Sequence, residues 1–247
     1  MKTRSLVVSL LIAIPLSAQA PAPVDMANEP HHRVMIENSY VRALRFSLPA
    51  GESTLLHAHN VPYVTVSLGP ADFANDVVGK PEVRGKTVDG QVGYSRGGFA
   101  HLAKADAGVP FNNVTIELLH PQGEPRNLCD KILPSDLGAC DLSGDVAGQA
   151  IATRPLLETG EVRVSSVVVR RDGDIMDKPH ALPGLLIAVS GAAIQVARVP
   201  GVPTRTLHAG EVLWLPLGAE PKFTVTEGPE ARLLLISFKD GTGAAAP

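Results

Sequence analysis

An internal repeat constrains the fold more than any other feature of this 247-residue sequence. The first copy, VRALRFSLPAGESTLLHAHNVPYVTVSLG, covers Val41–Gly69, and the second, VRVSSVVVRRDGDIMDKPHALPGLLIAVSG, covers Val162–Gly191. Two glycines of the first copy align with glycines of the second without a gap between them. A further pair of segments, Gly90–His101 and Gly210–Pro221, matches in the same order. Two matches in the same order predict an internal duplication, and therefore two similar units in one chain.

Short strand-like runs separated by turns fill both units. Each copy opens with a strand-like Val-Arg pattern, turns at a glycine and closes with a β-branched run that ends in glycine, and 23 glycines and 21 prolines disfavour long helices. We therefore predict an all-β fold with a sandwich or closed jelly roll in each half. The predicted organisation is a leader at 1–20, an N-terminal barrel at 28–120, a linker at 121–155, a C-terminal barrel at 156–240 and a flexible tail at 241–247.

The first 20 residues have the pattern of an export signal. Two basic residues precede an apolar run, Leu6–Leu16, that is too short to span a bilayer as a helix. Cleavage is expected after Ala20, or after Ala18 because Pro21 is a poor residue to follow a cut. We predict a secreted or periplasmic protein with no membrane segment once the signal is removed. The alternative for this segment is a membrane anchor.

The only two cysteines, Cys129 and Cys140, lie in one short stretch, NLCDKILPSDLGACD, inside the predicted linker. In an oxidising compartment, two cysteines in a short loop most simply form a disulfide. On the chain-entropy model, closing such a loop stabilises the fold by about 2–3 kcal/mol. A metal site and a redox pair are the alternatives, but the spacing and the lack of a nearby histidine weaken both. We therefore predict a structural disulfide.

The tripeptide His57-Ala58-His59 carries the clearest chemical signal in the chain. In a β strand, residues two apart point to the same face. Two imidazoles on the inner wall of a barrel can therefore share one metal ion. The alternative is that these histidines line the barrel without a metal.

The residues around this tripeptide resemble the first motif of the cupin superfamily. That motif places a glycine five residues before a His-x-His pair and closes on a second glycine. In this sequence Gly51, His57, His59 and Gly69 take those positions. The resemblance implies a jelly-roll barrel with both histidines as metal ligands.

A later segment resembles the second cupin motif. Gly90 is followed after five residues by Arg96-Gly97-Gly98 and then by His101, with arginine where the family has proline. Together the two motifs imply two tandem cupin jelly-roll barrels, and a site of three ligands, His57, His59 and His101, for one divalent transition metal (Fe, Mn, Ni, Cu or Zn).

Two positions depart from the family pattern. Where the family has a glutamate ligand this chain has Tyr63 or Val64, and where it has an asparagine after the second motif this chain has Ala105. Three neutral histidines can still bind a divalent transition metal and leave positions open for water or substrate. Tyr63 is expected either to offer its hydroxyl to the site or to pack beside it.

The second copy has lost the ligand positions. The alignment puts Pro179, Ala181 and Pro221 where the first copy has its three histidines, and His180 is expected to point to the opposite face. The C-terminal barrel is therefore predicted to be degenerate, packing against the first or holding a metal-free pocket.

Four histidines outside the motifs are predicted at the surface or at strand ends: His31, His32, His120 and His208.

A net charge of −3 and 4% aromatic residues argue against nucleic acid as a partner.

The motifs leave three functional hypotheses. The first hypothesis is a metal-dependent, oxygenase-like enzyme on a small organic molecule, with Tyr63 and Arg96 as the nearby catalytic candidates; Arg96 could equally hold a substrate carboxylate. The second is a module that binds a metal or small ligand without turnover, and the third is a structural protein. The chain is expected to be a monomer or a homodimer.

Overall fold

The computed structural model describes residues 22–129, 151–171, 182–190 and 193–239. Apart from one 3-10 turn at Met26–Asn28, all regular elements within these ranges are β strands, which confirms the predicted all-β fold. No helix in these ranges has the length and apolar character needed to cross a membrane.

The first ten strands form a barrel of two five-stranded sheets. One sheet has the order β1-β4-β9-β6-β7 and the other β2-β3-β10-β5-β8. The strands are β1 (Val24–Asp25), β2 (His32–Glu37), β3 (Val41–Leu48), β4 (His57–His59), β5 (Tyr63–Ser67), β6 (Ala71–Val77), β7 (Val83–Thr87), β8 (Val92–Ser95), β9 (Phe99–Ala105) and β10 (Phe111–Leu118).

The remaining described strands form the second unit, again as two sheets. One has the order β11-β12-β13-β19-β14-β17 and the other β16-β15-β18. The strands are β11 (Arg126–Asn127), β12 (Ile151–Glu158), β13 (Val162–Arg170), β14 (Gly184–Ser190), β15 (Ile194–Ala197), β16 (Arg205–Leu207), β17 (Val212–Leu215), β18 (Lys222–Val225) and β19 (Glu230–Phe238). Two jelly-roll units in tandem are the architecture that the repeat predicts.

Two short elements extend the predicted units. β1 begins before residue 28 and pairs in parallel with β4, so the chain that leads into the first barrel is already part of its sheet. β11 lies within the range predicted as a linker and pairs with β12 of the second unit, and β12 itself begins in that range at Ile151, before the predicted start of the second barrel at residue 156.

The two units share an apolar core. Strand alternation divides β10 between two environments: Val114, Ile116 and Leu118 face the second unit, while the intervening Asn113 and Thr115 face the interior of the first barrel. The first set belongs to a continuous buried cluster with residues of β13, β14 and β19. Burial of this face accounts for the apolar side chains that both units place on it.

The interior of the second barrel is filled by its own apolar side chains. They form one buried cluster that includes Val167, Leu186, Ile194, Val196, Leu207, Leu213, Val225 and Leu233. Pro221, which replaces a histidine of the first copy, is buried at the start of β18. The described part of this barrel is thus a packed core, while the predicted packing against the first barrel is supported by the cluster that joins the two units.

Several predictions fall on residues that the structure does not describe. They are the leader with Ala18 and Ala20, Cys140 and with it the pairing to Cys129, the segment containing Pro179, His180 and Ala181, and the C-terminal tail. These remain predictions.

Candidate metal centre

Two adjacent strands bring the three predicted ligands together. His57 and His59 lie on β4 and His101 on the antiparallel neighbour β9, with His57 and His101 directly opposite each other. His57 and His59 are buried and His101 is half-buried. The three histidines form the only group of His, Cys, Asp or Glu side chains in the described ranges with the geometry of a metal site.

The three imidazoles converge through their Nε2 atoms. His59 Nε2 lies 2.9 Å from His101 Nε2 and 3.3 Å from His57 Nε2. One ligand atom from each side chain lies within 4.8 Å of the others. Nitrogens bound at about 2.0–2.1 Å to a tetrahedral metal are separated by about 3.3 Å. The donor set therefore fits a divalent transition metal held by three neutral imidazoles.

Hydrogen bonds at the opposite ring nitrogens orient two of the ligands. His57 Nδ1 lies 2.9 Å from the Leu55 carbonyl oxygen, which can only accept. His101 Nδ1 bonds the side-chain oxygen of Asn75 on β6. Both contacts place the proton on Nδ1 and leave Nε2 free to bind a metal. The buried Nδ1 of His59 has no hydrogen-bond partner among the described residues.

The tight turn of the second motif supports the third ligand. Gly98 donates its N–H to the carbonyl oxygen of His59 at 2.6 Å. Gly97 has φ +68°, and a Cβ built there would lie 2.2 Å from the carbonyl oxygen of Val61. Only glycine permits this approach at position 97, and Gly98, with φ +78°, also lies in the left-handed region that favours glycine.

Burial keeps the cluster neutral. Loss of solvent, with the neighbouring imidazoles adding to it, lowers the pKa of His59 to about 2. The same causes lower the pKa of His101 to about 3. Burial also lowers the pKa of His57, although the bond to Leu55 opposes this shift. Near neutral pH all three rings are unprotonated, as metal ligands must be.

The histidines lie in the wall of a cavity of about 260 Å³ inside the first barrel. Phe46, Phe73 and Phe111 form one aromatic side of it: the Phe73 and Phe111 rings stack at 4.5 Å and Phe46 meets Phe111 edge-on at 5.2 Å. Neutral hydrogen-bonding side chains line the rest, among them Thr65, Ser67, Gln91, Ser95, Asn113 and Thr115. The cavity thus combines an apolar wall, a polar wall and the imidazole cluster.

Strand alternation decides between the two candidates for the missing glutamate position. Tyr63 faces the cavity, with its ring centroid 4.4 Å from that of His59, while Val64 faces the second barrel. Burial raises the pKa of Tyr63, although a hydrogen bond with Ser95 opposes the shift. A protonated phenol is a poor metal ligand, so Tyr63 presents a hydroxyl beside the cluster. Ala105 is buried in a small core cluster with Phe46.

The structure does not bring Arg96 to the cavity. Its side chain is 53% exposed, and its guanidinium pairs with Glu124 at 2.6 Å. The catalytic or carboxylate-binding role predicted for Arg96 is therefore not supported by its placement. Tyr63 is the predicted catalytic candidate that does line the site.

Sequence reasoning missed part of the cavity wall. His32 lies at the start of β2, the strand end that was predicted, yet it is buried, lines the cavity and has its ring centroid 5.0 Å from that of His57. Its Nδ1 lies 2.7 Å from the buried carboxylate of Glu29. His120 and His208 are exposed, as expected. No motif marks His32 or Asn75, because both reach the site through sheet pairing rather than through spacing.

Comparison with known proteins supports the fold at low sequence identity. No protein-family model matches this sequence, and no curated protein matches it. Among solved structures, a cupin 2 conserved barrel domain protein from Leptotrichia buccalis superposes with a TM-score of 0.53 at 12% identity, over 88% of this chain and 92% of that one.

Two enzymes are also similar in structure. A variant of salicylate 1,2-dioxygenase from Pseudoaminobacter salicylatoxidans gives a TM-score of 0.55 at 13% identity, over 81% of this chain and 71% of that one. A variant of oxalate decarboxylase from Bacillus subtilis gives 0.52 at 13% identity, over 84% and 71%. At such identities the likeness shows the shared fold, and the chemistry must be argued from the site.

Proposed function

We propose that this chain, which has the two-barrel cupin fold, is an exported, metal-dependent enzyme of the oxygenase type that acts on a small organic molecule. The observation that carries the proposal is the convergence of three neutral imidazole Nε2 atoms, within 4.8 Å of one another, at the wall of the cavity inside the first barrel. A dioxygenase and a decarboxylase among the structural neighbours support an enzyme on this fold.

His57, His59 and His101 would hold one divalent transition metal. Such an ion, bound by three uncharged ligands, would have room for water or substrate and would supply Lewis-acid or oxygen-activating chemistry. The hydrogen bonds that His57 and His101 donate to the oxygens of Leu55 and Asn75 fix the ligand rings before a metal binds, so little reorganisation is needed.

The rest of the cavity would bind and orient the substrate. The phenylalanine wall offers a flat apolar surface to a ring or chain, and the amide of Asn113 and the hydroxyl of Thr115 can hydrogen-bond its polar groups. The Tyr63 hydroxyl, which stays protonated, can donate a hydrogen bond to an oxygen of the substrate next to the cluster.

Oxygen uptake by the reconstituted protein tests the proposal. Metal-free protein is loaded separately with Fe(II), Mn(II), Co(II), Ni(II), Cu(II) and Zn(II) and assayed in an oxygen electrode against a panel of small aromatic and aliphatic hydroxy, keto and carboxylic compounds. We expect one redox-active metal to support oxygen consumption that matches substrate loss, and His59→Ala to abolish it. Tyr63→Phe, which keeps the ring and removes only the hydroxyl, should slow turnover while retaining the metal. Full activity in His59→Ala would refute the proposal.

A module that binds a metal or small ligand without turnover is the second candidate. It is favoured by Tyr63, which fills the family's carboxylate position with a group that binds metals poorly. For such a module, panel compounds should raise the melting temperature of the metal-loaded protein without any loss of compound or oxygen. Detection of product by mass spectrometry in the same samples would exclude this candidate.

Export is a separate part of the proposal and has its own test. N-terminal sequencing of the protein recovered from the periplasm or medium should begin at residue 19 or 21. Recovery of the intact N terminus in the cytoplasmic fraction would contradict it. Size-exclusion chromatography with light scattering of the same material would distinguish a monomer from a homodimer, the two states that the sequence leaves open.

A further inference from the structure

The segment that leads into the first barrel runs along the strand that carries two metal-ligand candidates. We call residues Val24–His32 the N-terminal strap. Val24 pairs in parallel with His57, and the Val24 N–H donates to the Leu56 carbonyl oxygen at 3.0 Å. The 3-10 turn at Met26–Asn28 follows this strand in the sequence, and Glu29 comes directly after the turn. The strap is therefore attached to β4 at the position of the first ligand.

Glu29 is the polar centre of the strap. Its side chain is fully buried, and each of its two carboxylate oxygens accepts two hydrogen bonds. Oε1 accepts from Leu55 N at 3.2 Å and from His31 Nδ1 at 2.9 Å. Oε2 accepts from His31 N at 2.9 Å and from His32 Nδ1 at 2.7 Å. Four donors surround the carboxylate, as a buried charge requires.

Two of these donors, Leu55 and His32, also contact His57, the first candidate ligand. The peptide nitrogen of Leu55 bonds Glu29, and the carbonyl oxygen of the same residue accepts from His57 Nδ1 at 2.9 Å. The ring of His32, fixed by Glu29, packs at 5.0 Å from the ring of His57 on one side and at 4.6 Å from Phe46 on the other. Glu29 therefore fixes Leu55, whose carbonyl oxygen accepts the hydrogen bond of His57, and also fixes the His32 ring that packs against His57.

We propose that Glu29 is a positioning residue for the metal centre, which fixes the tautomer and orientation of His57 through Leu55 and His32. Glu29 acts through these residues rather than as a ligand, because its four lone-pair positions already accept from Leu55, His31 and His32. The metal-binding part of this inference rests on the proposed function, whereas the tautomer of His57 is a property of the metal-free protein.

Glu29→Gln is the sharpest test of this role. The substitution keeps the shape of the side chain but turns one acceptor oxygen into an NH2 donor, which must then face two of the four donors. The matched control is Glu52→Gln, because Glu52 contacts His31 at 3.3 Å but is 56% exposed and lies outside the route to His57. Both variants remove one negative charge near the same histidine.

The first measurement is the tautomer of His57 in metal-free protein, by long-range 15N–1H correlation spectra of 15N-histidine-labelled samples. The wild type and Glu52→Gln should show the Nδ1–H form of His57, and Glu29→Gln a mixture of both forms. An unchanged His57 signal in Glu29→Gln would overturn the proposal. So would an Nε2–H form of His57 in the wild type.

The second measurement is Co(II) affinity, by competition with a chromophoric chelator. Outer-shell partners of metal ligands typically contribute about 10–100-fold in affinity, and we expect Glu29→Gln to lose affinity in that range while Glu52→Gln remains close to the wild type. Equal affinities of both variants would overturn the role in metal binding. If the wild type binds no Co(II), the proposed function fails, and the tautomer comparison still decides the role of Glu29.

Hydrogen exchange in the wild type tests the same coupling if Glu29→Gln does not fold. Coupling between two sites is reciprocal, so a strap that positions His57 must itself be stabilised by metal binding. Saturating Co(II) should slow exchange of the Leu55 amide by about fivefold or more relative to the Gly160 amide, which bonds Gln122 away from the cavity. Equal slowing of both amides would overturn the proposal.

Discussion

Acidification of the metal-free protein should destabilise it in a range set by the buried histidines. In the unfolded chain a histidine takes up a proton near pH 6.5, whereas the folded protein holds the pKa of His59 at about 2 and that of His101 at about 3. The unfolded state therefore binds more protons below pH 6.5, and stability falls as the pH falls. Above that pH both states are neutral at these sites and the effect vanishes.

The size of the effect follows from the lowered pKa values. At pH 5.0, each of His59 and His101 costs about 2 kcal/mol of unfolding free energy, and the two together about 4 kcal/mol. The lowered pKa of His57 acts in the same direction, and the raised pKa of His31 acts against it. Burial alone would raise the pKa of Glu29, but its bonds to His32 and His31 outweigh burial and hold it at about 2, so it contributes only below about pH 4.5.

Urea unfolding between pH 5.0 and 7.5, in the presence of a chelator, measures this directly. We expect the unfolding free energy to fall by about 4 kcal/mol from pH 7.5 to pH 5.0. His59→Leu, which places an apolar side chain beside Tyr63 and Phe99, should remove about half of the fall, and His208→Leu at the exposed surface none of it. A free energy that is flat across this range would refute the burial of neutral imidazoles in the cluster.

Three further predictions concern residues around the site and the interface. Asn75→Ala removes the acceptor for His101 Nδ1 and should weaken Co(II) binding by about 10–100-fold in a chelator competition; wild-type affinity would contradict that role. Arg96→Ala should leave metal affinity and turnover unchanged, because the side chain is exposed and paired with Glu124; a loss of either would return Arg96 to the site. Phe238→Ala should lower the unfolding free energy by about 3–5 kcal/mol, because Phe238 is buried between the barrels and packs at 5.0 Å from Tyr40; a loss below about 1 kcal/mol in urea unfolding would argue against the shared core.

The repeat and the two motifs predicted most of the fold and the three candidate metal ligands. A period of two places His57 and His59 on one face of a strand whatever the surrounding sheet, and the second motif supplies His101 by spacing alone. The turn before His101 is predictable for the same reason, because the backbone conformation of its glycines depends on neighbouring residues in the sequence. These features depend on short stretches of chain, which is why sequence reasoning reached them.

The contacts around the ligands depend on sheet pairing and were not predictable. His32 and Asn75 reach the cavity because β2 pairs with β3 and β6 pairs with β9, and no spacing in the sequence encodes those partners. The predicted role of Arg96 in the site was not supported, for a related reason. The turn that carries it sets the backbone of Gly97 and Gly98 against β4, and this leaves the Arg96 side chain at the surface beside Glu124.

Metal content is the most direct test of the metal centre. The measurement is elemental analysis of the protein purified from its native location, beside a His57→Ala/His101→Ala variant prepared in the same way. We expect about one equivalent of a single transition metal in the wild type, as a mononuclear three-histidine site requires, and none in the variant. A folded wild type without metal, which also fails to take up added Fe(II), Mn(II), Co(II), Ni(II), Cu(II) or Zn(II), would contradict the assignment of His57, His59 and His101 as ligands.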